Sequence, residues 1–236
     1  MRNPRPVISF TFDDFPSSAL WTGGAILAEN GAVGTYYASF GLMGQRAPTG
    51  LIFEPSDIPA LLESGHELGC HTFAHCHAYD TPPGVFEDSV LRNGRELGAL
   101  APGYRFRTLS YPISGPSPAN KRVCARYFAA CRGGGQTHNA GSVDLSHVRA
   151  FFLEQSIDRP DRVREAIDAN ARVGGWLVFA THDVTAHPTR FGCEPAFFED
   201  TVRCALRSGA QVLPMSEALE AIGAIPSVEA IETRSP

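Results

Sequence analysis

The chain has no run of eighteen apolar residues, so nothing in it reads as a membrane-spanning helix. It also lacks a basic stretch interleaved with aromatics, and a formal net charge of −5 supplies no attraction for nucleic acid or an anionic membrane. No Cys-x-x-Cys pair occurs. The six cysteines (Cys70, Cys76, Cys124, Cys131, Cys193, Cys204) are scattered over 236 residues, as reduced core thiols are and a disulfide framework is not. Internal repeats, coiled-coil heptads and low-complexity blocks are missing too. Residues 133–147, GGGQTHNAGSVDLSH, are rich in glycine but lack the Gly-Lys-Ser/Thr ending of a phosphate loop, and read as a long flexible loop. The opening MRNPRPVISFTFDD reaches two acids too early to hold a secretory apolar core, so the chain as written reads as cytoplasmic.

What is present suits a folded domain: 43% hydrophobic and 19% charged residues. One domain over 1–236 is expected, with a core at about 6–220 and a frayed surface tail from Pro226. Short β-rich runs alternate with helix-length segments: PVISFTF precedes SALWTGGAILAEN, VGTYYASF precedes PSDIPALLESG, and HELGCH precedes a helix from Val85 to Ala99. FRTLSYP, FAACRGG, AFFLEQS, WLVFATHD and QVLPM continue the series. This rhythm predicts an α/β fold, a distorted or partly open (β/α)7 barrel with parallel strands and helices outside. Ser56 and Gly65 are expected to bound one helix, Pro195 and Gly209 another, while Val163 and Ile167 mark a buried helical face.

Parallel barrels gather their chemistry at the carboxyl ends of the strands. Asp13 and Asp14 end the first strand, and His71 and His75 follow the third. SYPIS (110–114) ends the fourth, Arg132 the fifth, and His182 with Asp183 the seventh. On a helical turn, histidines four apart project from one face, and with one carboxylate they form a metal set that leaves positions open for water and substrate. His77 is read as a solvent neighbour. The second acid would stay free as a base, its repulsion offset by the cation. Two histidines and a carboxylate also suit a non-haem iron oxygenase, against which the free acid and the parallel pattern both count. Trp176, at the start of its strand, is assigned to packing away from the mouth; Phe73, Tyr79, Tyr111 and Phe191 are closer to it by loop position.

TFDD at 11–14 and HTFAH at 71–75, the latter fitting H-S/T-x-x-H, resemble the polysaccharide deacetylase family, carbohydrate esterase family four, over roughly residues 6–220. The resemblance implies a seven-stranded distorted barrel in which Asp14, His71 and His75 hold a divalent metal, Zn2+ first and Co2+, Ni2+ or Mn2+ as alternatives. It implies Asp13 as the base and His182 as the acid in removing N-acetyl groups from an N-acetylhexosamine-containing glycan. LSYPIS is similar to the family's F-A-Y-P-F-G variant, which implies substrate contacts from Tyr111, Pro112 and Ile113, the last through its backbone N–H. Departures are visible. Ser110 stands where the family often has an arginine, and Arg132 at the next strand end is expected to supply that charge ahead of Arg105 or Arg107. Phe15 replaces a frequent glycine, and Ala180-Thr181-His182 replaces Leu-x-His. The alternatives are a relative acting on a small non-sugar amide and a sugar-binding protein that has lost catalysis.

Overall fold

Every residue from Val7 to Phe12 is buried, as expected of a parallel strand covered on both faces. The computed structural model describes residues 3, 5–113 and 115–224; the tail expected from Pro226 lies outside the described residues. In chain order the elements are β1 (Val7–Phe12), α1 (Ala25–Glu29), β2 (Thr35–Ala38), β3 (Arg46–Ala47), β4 (Gly50–Leu51), α2 (Asp57–Glu63), β5 (Glu67–Cys70), α3 (Pro83–Leu100) and β6 (Thr108–Ser110). There follow α4 (Pro118–Cys124), β7 (Ala130–Gly133), β8 (Val148–Arg149), β9 (Phe151–Phe152), α5 (Asp161–Val173), β10 (Trp176–Thr181), α6 (Pro195–Arg207), β11 (Gln211–Val212) and α7 (Met215–Ala221).

The main sheet runs β8-β7-β6-β5-β2-β1-β10-β9, with β11 added beside β1, and all its pairs are parallel. Its two outer members are parts of one run. Residues 148–149 pair with β7 and residues 151–152 with β10, so a single five-residue segment brings the sheet's edges together. Counted once, it is the seventh strand of a nearly closed barrel, with the seam at Ala150. There Gln136 takes over from the ladder: its N–H donates to the Ala150 carbonyl (2.8 Å), its Oε1 accepts from Phe152 N (2.9 Å), and its Nε2 donates to the Phe152 carbonyl (3.1 Å).

Alternate strand residues point to opposite faces. Ile8, Phe10, Phe12, Leu177 and Phe179 share a core with Val163, Ile167, Phe198 and Val202 of α5 and α6, outside the barrel. Val7, Tyr37, Ala130, Val148, Trp176, Val178 and Ala180 form a second core inside it, closed at one end by Met215 and Leu219 of α7. Trp176 is a packing residue at that end, its Nε1 donating to Ser9 Oγ (3.0 Å). Parity therefore fixes direction. Asp13 continues the inward series Val7, Ser9, Thr11, and His182 continues Trp176, Val178, Ala180.

Several local expectations change. Ser56 makes no capping bond; Asp57 Oδ2 accepts from Glu54 N (2.9 Å) instead. Stretch 133–147 is tied rather than loose, because Asn139 exchanges backbone hydrogen bonds with Trp176 (2.8 Å each way) and its side chain reaches Arg149 and Trp176. The β3–β4 hairpin was not foreseen, since strands of two residues carry no readable alternation. Gly65 and Gly209 do end their helices in the left-handed region. Among the described residues no helix is long and apolar enough to cross a membrane. All six cysteines are free, Cys76 and Cys204 being only half-buried.

Candidate active site and metal centre

β1 delivers Asp13 to the mouth, where Asp13 N extends the ladder to the Thr181 carbonyl (3.0 Å). The next two residues, Asp14 (φ 60°) and Phe15 (φ 52°), are both left-handed, a conformation costing a non-glycine residue about 1–2 kcal/mol. This double reversal explains how neighbouring acids, which a strand would point apart, reach one mouth. It is also a conformation that suits the glycine which the family resemblance leads one to expect at position 15. Here the cost of Phe15 is offset by burial of its ring, stacked on Phe53 at 4.7 Å.

His71 follows β5 on the inward parity of Glu67 and Gly69. His75 arrives through an irregular loop with left-handed Thr72 and His75, not the helical turn expected from their spacing. One donor atom each from Asp14, His71 and His75 lie within 4.8 Å of one another. Asp14 Oδ1 is 3.6 Å from His71 Nε2 and 3.2 Å from His75 Nε2. It is buried with no hydrogen-bond partner, whereas Oδ2 accepts from Thr49 Oγ1 at 2.9 Å. His71 Nδ1 donates to the Ser110 carbonyl (2.7 Å), so the Nε2 lone pair faces the carboxylate. Burial pushes His71 down to about 4 despite Asp13 nearby, keeping the ring neutral as a ligand must be. An unpartnered buried oxygen and two imidazole nitrogens form a donor set that fits a divalent cation such as Zn2+.

Asp13 is paired differently. Arg132, wholly buried on β7, bonds Asp13 Oδ1 and Ser110 Oγ through one Nη, and β6–β7 register sets Ser110 opposite Arg132. Its guanidinium carbon lies 5.4 Å from the Tyr37 ring and 5.6 Å from the Phe152 ring. Burial would raise the Asp13 carboxyl, but Arg132, followed by His71 and His182, outweighs it and holds the group well below the usual carboxylate range. Arg107 pairs with Glu220 (3.0 Å), and Arg105 lines a groove beside α3 and the start of β6, so neither serves the mouth.

His182 Nδ1 donates to the Phe191 carbonyl (3.1 Å), leaving Nε2 as the ring nitrogen for other work. Asp183 is buried and fastens that loop by accepting from Thr189 N (2.7 Å) and Thr189 Oγ1 (2.6 Å). Of the fourth-strand residues, Tyr111 requires correction as a substrate contact. It follows inward Ser110, so its side chain points outward into a core with Cys124 and Cys131, and its hydroxyl donates to the Ser146 carbonyl (3.0 Å). Pro112 is buried; Ile113 is 59% exposed and left-handed (φ 59°), an outlier for a β-branched residue. Phe73 lies under the Arg92 guanidinium (3.6 Å) and is not a free face.

Two residues at the mouth escaped the sequence. Glu154 follows β9 on the parity of Phe152, level with His182 by extension of the Phe152↔Ala180 register. Burial, with Asp13 repelling it, pushes its carboxyl up to about 8, and Oε2 has no partner. Parity was a usable signal for it. Thr49 had none, because its hairpin is too short to read.

A Mycobacterium smegmatis protein assigned to the polysaccharide deacetylases superposes with a TM-score of 0.65 at 17% identity, over 98% of this chain and 92% of that one. The family 4 carbohydrate esterase from Streptomyces lividans, in complex with acetate, gives 0.60 at 18% identity, over 88% and 91%. A CE4 family pseudoenzyme from Bacillus anthracis gives 0.61 at 10% identity, over 93% and 67%. At such identities the likeness establishes the fold. No curated protein matches. The family model described as polysaccharide deacetylase matches residues 1–127, more than half of the chain and including both acids and both histidines, so the chain belongs to the polysaccharide deacetylase family.

Proposed function

We propose that this chain is a metal-dependent hydrolase that removes N-acetyl groups from an N-acetylhexosamine-containing glycan or oligosaccharide. One observation carries this above the others: Asp14 Oδ1 is buried without a donor and faces two imidazole nitrogens, while a second carboxylate beside it is held ionised by its own arginine. Asp14, His71 and His75 would hold the cation. A bound Zn2+ supplies Lewis acidity toward an amide carbonyl and lowers the pKa of water from 15.7 to about 7.

Asp13 then acts as the base, its carboxyl held low and fixed in place by Arg132. His182 acts as the acid. An amine leaves poorly as an anion, and Nε2 is the nitrogen free to give it a proton. The Ile113 N–H, carried on a left-handed backbone at the end of the fourth strand, is the candidate donor to the oxyanion. Family membership favours an acetylated carbohydrate, and acetate in the Streptomyces lividans esterase suits a deacetylase product. The test is acetate release from acetylated chitooligosaccharides by zinc-loaded, chelated and reloaded protein, run beside a panel of small non-sugar amides. Zinc-dependent release from the sugars supports the proposal. Release from small amides alone, or sugar binding without turnover, replaces it.

A further inference from the structure

Asp14 has two oxygens and two different neighbourhoods. Oδ1 faces the histidines and Oδ2 receives the Thr49 hydroxyl. A carboxylate turns about its last torsion with little intrinsic preference, so the protein has to decide which oxygen meets the imidazoles. We propose that Thr49 makes that decision: it is the positioning residue that orients Asp14 for metal binding, and the β3–β4 hairpin exists at the mouth to hold it. This rests on Asp14 being a metal ligand, as set out above.

The hairpin's construction bears on this directly. Thr49 lies in the connection Ala47-Pro48-Thr49-Gly50, where Pro at the second position and Gly at the fourth match the preferences of a tight turn, and Gly50 is left-handed (φ 114°). A threonine at a turn tip is ordinarily exposed; this one is 4% exposed. The hairpin is fastened to the segment that follows Asp14. Pro16 bridges Ile52, Phe53 N donates to the Phe15 carbonyl (3.0 Å), and the Phe15 and Phe53 rings stack. At its own base Ile52 N donates to the Gln45 carbonyl and Gly44 N to the Phe53 carbonyl, both at 2.9 Å. The distance from the Thr49 hydroxyl to Asp14 is thus set by backbone bonds on both sides of the contact. Phe15, the residue in the place of a frequent glycine, is one of the anchors. The departure from the family pattern and the hydroxyl clamp are parts of one arrangement.

Hydrogen-bonding partners of metal ligands typically change metal affinity by 10–100-fold. Thr49→Val keeps the shape and removes the hydroxyl; Thr49→Ser keeps the hydroxyl and removes the methyl. Zinc affinity is measured by competition with a chromophoric chelator on the full chain, with circular dichroism showing that each variant is folded. Thr49→Val is expected to bind zinc 10–100-fold more weakly and Thr49→Ser within about threefold of the unsubstituted chain. Should Thr49→Val bind as tightly as the unsubstituted chain, or Thr49→Ser be as weak as Thr49→Val, the hydroxyl does not position Asp14 and the inference is overturned while the metal site stands. An unsubstituted chain that binds no zinc overturns both.

Discussion

At the closed end of the barrel Glu67 is 6% exposed, and its carboxylate is saturated: Oε1 accepts from Thr108 Oγ1 (2.7 Å), Oε2 from Thr35 Oγ1 (3.0 Å) and Ser216 N (2.8 Å). At the mouth Asp14 is 5% exposed, yet one of its oxygens has no donor, and Glu154 Oε2 has none either. Burial is nearly equal for Glu67 and Asp14; satisfaction is not. Buried polar groups are almost always paired, and among the described carboxylates Asp14 and Glu154 are the ones left with an unpaired buried oxygen. The saturated acid ties α7 to the barrel, and the unsaturated ones lie at the mouth, where the proposed metal centre is.

The sharpest way to break this contrast is at Asp13. Asp13→Asn is expected to retain metal, by elemental analysis, while kcat for acetate release falls about 10²–10⁴-fold; His71→Ala is expected to lose the metal itself. Normal turnover by Asp13→Asn would remove the base from the mouth. Next in size is Arg132→Met, which leaves a buried carboxylate without its cation and is expected to destabilise the fold by about 3–5 kcal/mol in urea titrations. The sign with pH follows. Asp13 is depressed in the fold, so its contribution is present above the ordinary carboxyl range and disappears as pH falls through the folded value; in Arg132→Met that loss begins at higher pH.

Glu67→Gln tests the other end. It should cost roughly 1–3 kcal/mol of stability, by thermal or urea unfolding, and leave zinc affinity unchanged. A change in zinc affinity would erase the distinction between the two ends. The last test falls on Glu154. Its carboxyl is raised to about 8 in the fold against an ordinary 4.5, so between those values the folded state holds a proton that the unfolded state has released, and stability declines as pH rises. Glu154→Gln should flatten that decline in urea titrations repeated at several pH values.

Much of this was legible in sequence because parallel strands advertise themselves as continuous apolar runs, and because period two carries a side chain's direction past the strand's end. Asp13, Arg132 and His182 all follow that parity. The same rule, applied one residue after Ser110, would have turned Tyr111 away from the substrate. The left-handed pair Asp14-Phe15, the irregular path from His71 to His75 and the Thr49 hairpin were not legible. Each depends on backbone conformations that no local pattern specifies and that distant partners such as Phe53 enforce. Asn139 and Gln136 made the glycine-rich stretch 133–147 ordered for a similar reason: their amides are spent on strands ten or more residues away.

The joint at Ala150 bears on how the mouth is held. Neighbouring staves of this barrel are joined by main-chain rungs, and at this join, among the described residues, the side-chain amides of Gln136 and Asn139 help to fasten the wall. The order of the joint therefore depends on two particular side chains as well as on backbone pairing. It lies between the strand that carries Arg132 and the one that leads to His182, so the residue that grips the proposed base and the proposed proton donor stand on either side of it.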